Sequence, residues 1–432
     1  MEVQIISKEK IKPSCPTPDH LKTHKLSIID QLAIQCYVPV IIFYSPSHNQ
    51  DSSQISTQLK KSLSETLTHF YPLAGKAING SFIDCNDDGA SFVEANIVGD
   101  MSMVLNQSKI ELLRLLLPSK LNENFAEKEI VSVQVNYFTS GGIVISVCIK
   151  HLIADASTVA SFVEVWGNIA RCATNSVSNG IIFDRTGLFP PVNNKIEGLS
   201  WVEGSLLPET VTKRFLFDGL KIAALREMIS NGVSVDQPTR FEAVSALIWG
   251  ASISAARESE ENVDSHVAVT VVNLRKKLNP NLPQQCIGNI CQVAIAKSAI
   301  EKSTDYRELV RKIRKSIGVL DDGYVRKFHA EGKWFDFVKK LVEEPGNNYK
   351  VKQLNFSSWC RFPFYGVDFG WGKPIWVSTV MEQENGVIFL DTIDGQGIEA
   401  WISLSRENMD KFEKNPEILE FATFNRSTVK ID

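Results

Sequence analysis

The chain has 432 residues, too many for one ordinary core and enough for two domains of about 200 residues each. Its 44% hydrophobic and 22% charged content excludes a disordered chain. A formal net charge of −4, with no long Lys/Arg run, argues against a nucleic-acid track. The eight cysteines are scattered, with no Cys-x-x-Cys pair and no zinc spacing, which suits reduced thiols in a reducing compartment and no metal site. Residues Met1–Lys8 lack a cationic start followed by an apolar stretch, and Ser427–Asp432 matches no retention or peroxisomal signal. The reading is a cytoplasmic protein with no membrane partner.

Taken in chain order, Val3 to Lys12 alternates weakly and stops at Pro13, like an edge strand. Val38 to Tyr44 reads as a buried strand despite Pro39, and is far short of the ~20 residues of a membrane span. Leu59, Leu63 and Leu67 predict a helix over Ser56–Phe70, ended by Pro72 and Gly75. Val131–Phe138 alternates strictly, with Ser132, Gln134 and Asn136 on its polar face. A turn at Gly141-Gly142 and the apolar run Ile143–Ile149 follow, predicting a hairpin whose second strand is the more buried. A helix follows over Ala156–Arg171. Periodicity then fades between Ala173 and Thr212, the best linker. In the second half, Asp218 caps a helix ending at Gly232, and Thr239-x-x-Glu242 is a capping box opening Ala243–Ala256. Val267–Val272 is a strand, and Tyr306 to Leu320 a long amphipathic helix. Its cations Arg307, Arg311, Lys312, Arg314 and Lys315 read as a solvated face. Strands at Trp376–Ser378 and Val387–Leu390 close the chain. The fold class is α/β in two halves: residues 1–185, a crossover over 186–212, and 213–432.

The first candidate for chemistry is His151-Leu-Ile-Ala-Asp155. Alone the spacing is weak, but His151 stands where a buried strand ends and a helix is about to begin, a place where α/β folds expose catalytic side chains. A neutral imidazole there can take a proton near pH 7; equally, it can be a satisfied histidine at a strand end. Asp155 can accept a hydrogen bond from His151 or anchor the loop by pairing with a cation. The second candidate is Asp368-Phe369-Gly370-Trp371-Gly372, closed by Pro374. Two glycines around a tryptophan make a tight turn packed by Phe369 and Trp371, a structural reading favoured over a catalytic Asp368. There is no Gly-x-Ser-x-Gly, no dinucleotide turn and no phosphate loop, so a serine hydrolase, a dehydrogenase and a P-loop enzyme find no support.

Together the two motifs make the chain resemble the plant BAHD acyltransferases, which share a His-x-x-x-Asp motif mid-chain and an Asp-Phe-Gly-Trp-Gly motif near the C-terminus. Phe70–Gly75, Val272-Asn273-Leu274-Arg275, Gly288-Asn289 and Trp359–Pro363 carry the likeness over nearly the whole chain. Within the family it looks most like the vinorine-synthase group, which acetylates alkaloids and similar alcohols. Lys76, Lys150 and Ala156 depart from common family residues.

The resemblance implies two similar-sized domains of chloramphenicol-acetyltransferase-like type with a channel between them. It implies an acyl-CoA co-substrate, most simply acetyl-CoA, and an alcohol acceptor such as an alkaloid or terpenoid. His151 is then the general base, with no acyl-enzyme, and Asp155 pairs with Arg275 to hold the loop. CoA phosphates are expected near Thr239 and Arg240, at a helix start, and the expected species is a monomer. A longer acyl group or a sugar acceptor is the near alternative. A silent member acting as a binding protein is the alternative of a different class, and the joint presence of His151, Asp155 and Arg275 argues against it.

Overall fold

The runs around residues 38–44, 131–138 and 143–150 are the most apolar of the first half, and they meet in the middle of one sheet. The computed structural model describes every residue except 46–50, 108, 119–127, 173–179, 192–209, 232–236, 259–262, 264, 300–304, 334–350 and 425–432. In it, β1 (Glu2–Ile11), β2 (Thr23–Lys25), β3 (Tyr37–Tyr44), β4 (Lys76–Ile78), β5 (Phe82–Asp84), β6 (Ala90–Val98), β7 (Val131–Phe138) and β8 (Ile143–Lys150) belong to the first half. Five of these and β13 (Trp376–Ser378), which returns from the second half, pair in the order β1-β6-β7-β8-β3-β13. β2, β5 and β4 form a small separate sheet. Strand β1 is an edge, as its weak pattern predicts, and every residue of β3 is buried.

The odd-numbered side chains of β7 and β8 pack with α2 (Ser52–His69) and α5 (Ala156–Ala170) in one apolar cluster. The polar face of β7 departs from expectation. Ser132, Gln134 and Asn136 are buried, so β7 is nearly as enclosed as β8. Asn136 Nδ2 donates to the carbonyls of Leu116 and Val144, and Gln134 Nε2 donates to Asn136 Oδ1. The alternation marked a two-faced strand; it could not tell that the segment ending at Leu116 covers the second face.

The second half forms a seven-stranded sheet from β9 (Thr210–Phe217), β10 (Ser265–Asn273), β11 (Cys291–Ala299), β12 (Val351–Ser358), β14 (Gly386–Asp391), β15 (Ile398–Ser405) and β16 (Thr423–Phe424). Its order is β11-β10-β12-β14-β15-β9-β16. Helices α6 (Gly219–Ser230), α7 (Arg240–Glu258) and α8 (Tyr306–Gly318) cover one face, packed on Ala268, Ala296, Leu354 and Phe356. Helix α6 ends on Asn231 at φ 49°, the left-handed position expected of Gly232, which lies outside the described residues. The α8 cations are only partly a solvated face. Arg307 donates to the carbonyls of Ile229 and Ser230 at the end of α6, and Arg314 pairs with Glu242. The expected crossover over 186–212 falls mostly on undescribed residues.

The uncovered face of this sheet divides in two. Toward β14 and β15, Ile388 and Trp401 pack against the first half's cluster. Toward β10 and β11, cross-strand partners Val271 and Val293, then Val269 and Ile295, share the face with Ser357 and Asn355 of β12. Val271 is 38% exposed, Val293, Ile295, Asn355 and Ser357 are half-buried and Val269 is buried, so this strip of sheet is only partly covered. Among the described residues, no helix is long and apolar enough to cross a membrane.

Candidate active site

Strand β8 ends at Lys150 because the chain turns there: the His151 N–H donates to the carbonyl of Cys36, 2.8 Å away, and three turn residues follow before α5. Asp155 is the N-cap of α5, its Oδ1 accepting from the Thr158 N–H at 2.8 Å. Ala156 is the first helical residue, so no glycine is needed after the motif aspartate. Lys150, just before His151, is buried, donates to the Lys128 carbonyl at 2.7 Å, and burial brings its ammonium down to about 8.

Asp155 does not touch the imidazole in any described hydrogen bond. It pairs with Arg275 at 2.7 Å, both side chains nearly fully buried. Arg275 also donates to the carbonyls of Cys286 and Gly288, and the Ile290 N–H donates to Asp155. The pair therefore stitches the segment 286–290 to the start of α5. Burial alone would raise the Asp155 pKa; the Arg275 charge and hydrogen bonds outweigh it and hold the carboxyl below its usual range.

That segment carries the residue sequence reading left without a role. Asn289, buried to 1% exposure, has its Oδ1 3.0 Å from His151 Nδ1 and donates from Nδ2 to the His151 carbonyl at 2.6 Å. Two acceptors surround Nδ2, the His151 carbonyl and Asp30 Oδ1, so Oδ1 is the atom that faces the imidazole. An amide oxygen only accepts; Nδ1 therefore carries the ring proton, and Nε2 keeps its lone pair. Half-buried His151 is thus held with an unprotonated Nε2, an atom able to accept a proton. Cys36 and Cys291 flank the site, but burial pushes both thiols up to about 12, so neither is a ready nucleophile.

The second motif lies elsewhere and acts on packing. Asp368 Oδ1 accepts from the N–H groups of Gly370 and Gly372, both at φ above 110°, which closes the turn. Phe369 is fully buried, edge-on to Trp166 of α5 at 4.9 Å and stacked on Trp371. Gln58 of α2 donates to the carbonyls of both Phe369 and Ala170. This turn thus pins the C-terminal half onto α2 and α5. Phe369→Ala is expected to cost about 3–5 kcal/mol, read as a lower denaturant midpoint with little change in KM.

Thr239 and Arg240 sit at the start of α7 as expected, and both are taken up by the fold. Thr239 forms a full capping box with Glu242. The Arg240 guanidinium donates to the carbonyls of Gly395 and Gly397 and to Asp391. Among the described residues no group of three or more His, Cys, Asp or Glu side chains is placed to hold a metal ion.

A family model described as Transferase family matches residues 1–419. The chain belongs to the BAHD acyltransferases. It is a BAHD transferase whose relatives are similar along their full lengths. It is 44% identical to an epi-neemfruitin B synthase of Melia azedarach, with 99% of this chain and 100% of that protein covered. It is 42% identical, at the same coverage, to a limonoid 1-O-acetyltransferase of Citrus sinensis, and 37% identical to a stemmadenine O-acetyltransferase of Catharanthus roseus over 94% of this chain and 95% of that one. The crystal structure of vinorine synthase matches with a TM-score of 0.85 at 35% identity, covering 99% of both chains. The crystal structure of TRI101 of F. sporotrichioides complexed with coenzyme A and T-2 matches with a TM-score of 0.74 at 16% identity, covering 93% of this chain and 99% of that one, which shows the two-domain α/β fold alone.

Proposed function

We propose that this BAHD transferase passes an acyl group, acetyl from acetyl-CoA, to a hydroxyl of an oxygenated terpenoid or alkaloid, with His151 as general base. The observation that carries the reading is the His151–Asn289 hydrogen bond, which leaves Nε2 free to accept a proton. Nε2 takes the hydroxyl proton as the alcohol oxygen attacks the thioester carbonyl. The C–S bond then breaks, and the imidazolium returns the proton to the departing thiolate, giving ester and free CoA thiol. No acyl-enzyme enters the scheme, in keeping with the protonated thiols around the site. Base catalysis of this kind supplies about 10²–10⁴-fold, and alignment of the two substrates supplies more.

The half-open apolar strip of β10, β11 and β12 begins at Val293, four residues after Asn289, and supports an apolar, polycyclic acceptor, with Ser357 and Asn355 offering polar contacts. The relatives named as limonoid and alkaloid acetyltransferases support the same acceptor class. In this reading residues 1–185 and 213–432 form the two walls of a channel. Purified protein given acetyl-CoA and a panel of terpenoid and alkaloid alcohols is expected to release thiol only when an acceptor is present, with the ester detected by mass. Absence of acceptor-dependent thiol with every acyl-CoA and alcohol pair would overturn it.

A further inference from the structure

Asn289 can be read as an isolated partner of His151, but its amide is itself fixed from behind. Asp30, in the first short helix (α1, Ile28–Gln31), is completely buried. Its Oδ1 accepts from both the backbone N–H and the Nδ2 of Asn289, at 2.9 and 3.0 Å. Its Oδ2 accepts from the N–H and hydroxyl of Ser27 and from Arg185, the last at 2.7 Å. Arg185 is 4% exposed and also donates to the Asn289 carbonyl. The guanidinium lies so close under Gly288 that a Cβ there would come within 1.9 Å of it, so the residue before Asn289 has no room for a side chain. A staple for the loop would need only the backbone contacts. The additional bond to Nδ2 acts on the amide's orientation.

We propose that the buried Asp30–Arg185 pair is a positioning device that sets the Asn289 amide and, through it, keeps the His151 ring proton on Nδ1. This rests on His151 as the base and extends that reading two residues deeper. A carboxylate has no donor, so Asn289 meets it with Nδ2 and turns Oδ1 to the imidazole. Arg185 supplies the charge that makes a buried carboxylate tolerable. An asparagine at position 30 offers the Asn289 amide a donor as well as an acceptor, so only the His151 carbonyl is left to favour Nδ2 and the amide's orientation is weakened. With Nδ2 facing the ring, the proton moves to Nε2 and the base is lost.

The test uses the double variant Asp30→Asn/Arg185→Gln, which removes both buried charges together and leaves neither ion unpaired. The expected result is a kcat lowered by about 10²-fold with KM for acetyl-CoA unchanged. ¹⁵N spectra of the imidazole, assigned against His151→Ala, are expected to show Nδ1–H in the wild type and a shift toward Nε2–H in the variant. A folded double variant with wild-type kcat and an unchanged Nδ1–H signal would overturn the proposal. Should the variant fail to fold, the wild-type spectrum still decides, because an Nε2–H tautomer there contradicts it. Wild-type turnover in His151→Ala would instead sink the base assignment and leave the tautomer measurement intact, so the two failures can be told apart.

Discussion

Replacing His151 by alanine is expected to lower kcat by about 10²–10⁴-fold while leaving the far-UV spectrum and the melting midpoint close to wild type. His151 is half-buried, and its ring makes one described hydrogen bond, to Asn289. Its backbone bond to Cys36 survives the substitution. The loss should fall on kcat for every acceptor, because the proton transfer is common to all of them. Steady-state thiol release checks this, and near wild-type turnover would remove His151 from the mechanism.

Arg275→Ala is expected to do the reverse, harming the fold first. It leaves Asp155 buried beside segment 286–290 with no cation, and removing one partner of such a pair costs about 3–5 kcal/mol. Asp155→Ala strands the guanidinium at similar cost. Activity should fall with stability, because the segment that slips carries Asn289. Urea unfolding followed alongside turnover separates the two effects. The same pair predicts an acid limit, shared with Asp30. Burial opposes ionisation of both carboxylates, yet Arg275 and Arg185 with their hydrogen bonds hold both below the usual range. The folded chain then binds fewer protons than the unfolded one around the ordinary carboxylate pKa. Their contribution is complete above pH of about 4 and is lost as pH falls through the depressed values. Wild-type stability should therefore drop steeply below that point, and the drop should be smaller in Asp30→Asn/Arg185→Gln.

The two ion pairs also explain which parts of the site were legible. Local order was: the hydrophobic runs of β3 and β8, the capping box at Thr239 and Glu242, and the Asp218 cap each depend on residues within a few positions of one another. His151 was legible because a buried strand stops at it. The glycine turn after Asp368 was legible because only glycine takes its backbone angles easily. By contrast, Ser27 and Asp30 form a local capping box at the start of α1; that the Asp30 carboxylate also meets residue 289 depends on a contact across 259 positions. The buried polar face of β7 and the engagement of Arg240 and Arg314 have the same cause.

The sequence by itself determined the α/β class, the family and the place of His151 at the end of a buried strand, since these rest on periodicity and on short motifs. Only the tertiary structure decided what surrounds His151. Hydrogen-bond partners of a buried polar group are chosen by which chain segments pack together, and packing is set by apolar faces that say nothing about the polar atoms carried with them. For that reason Asp155 turned toward Arg275, and the neighbour of His151 proved to be Asn289, backed by Asp30 and Arg185.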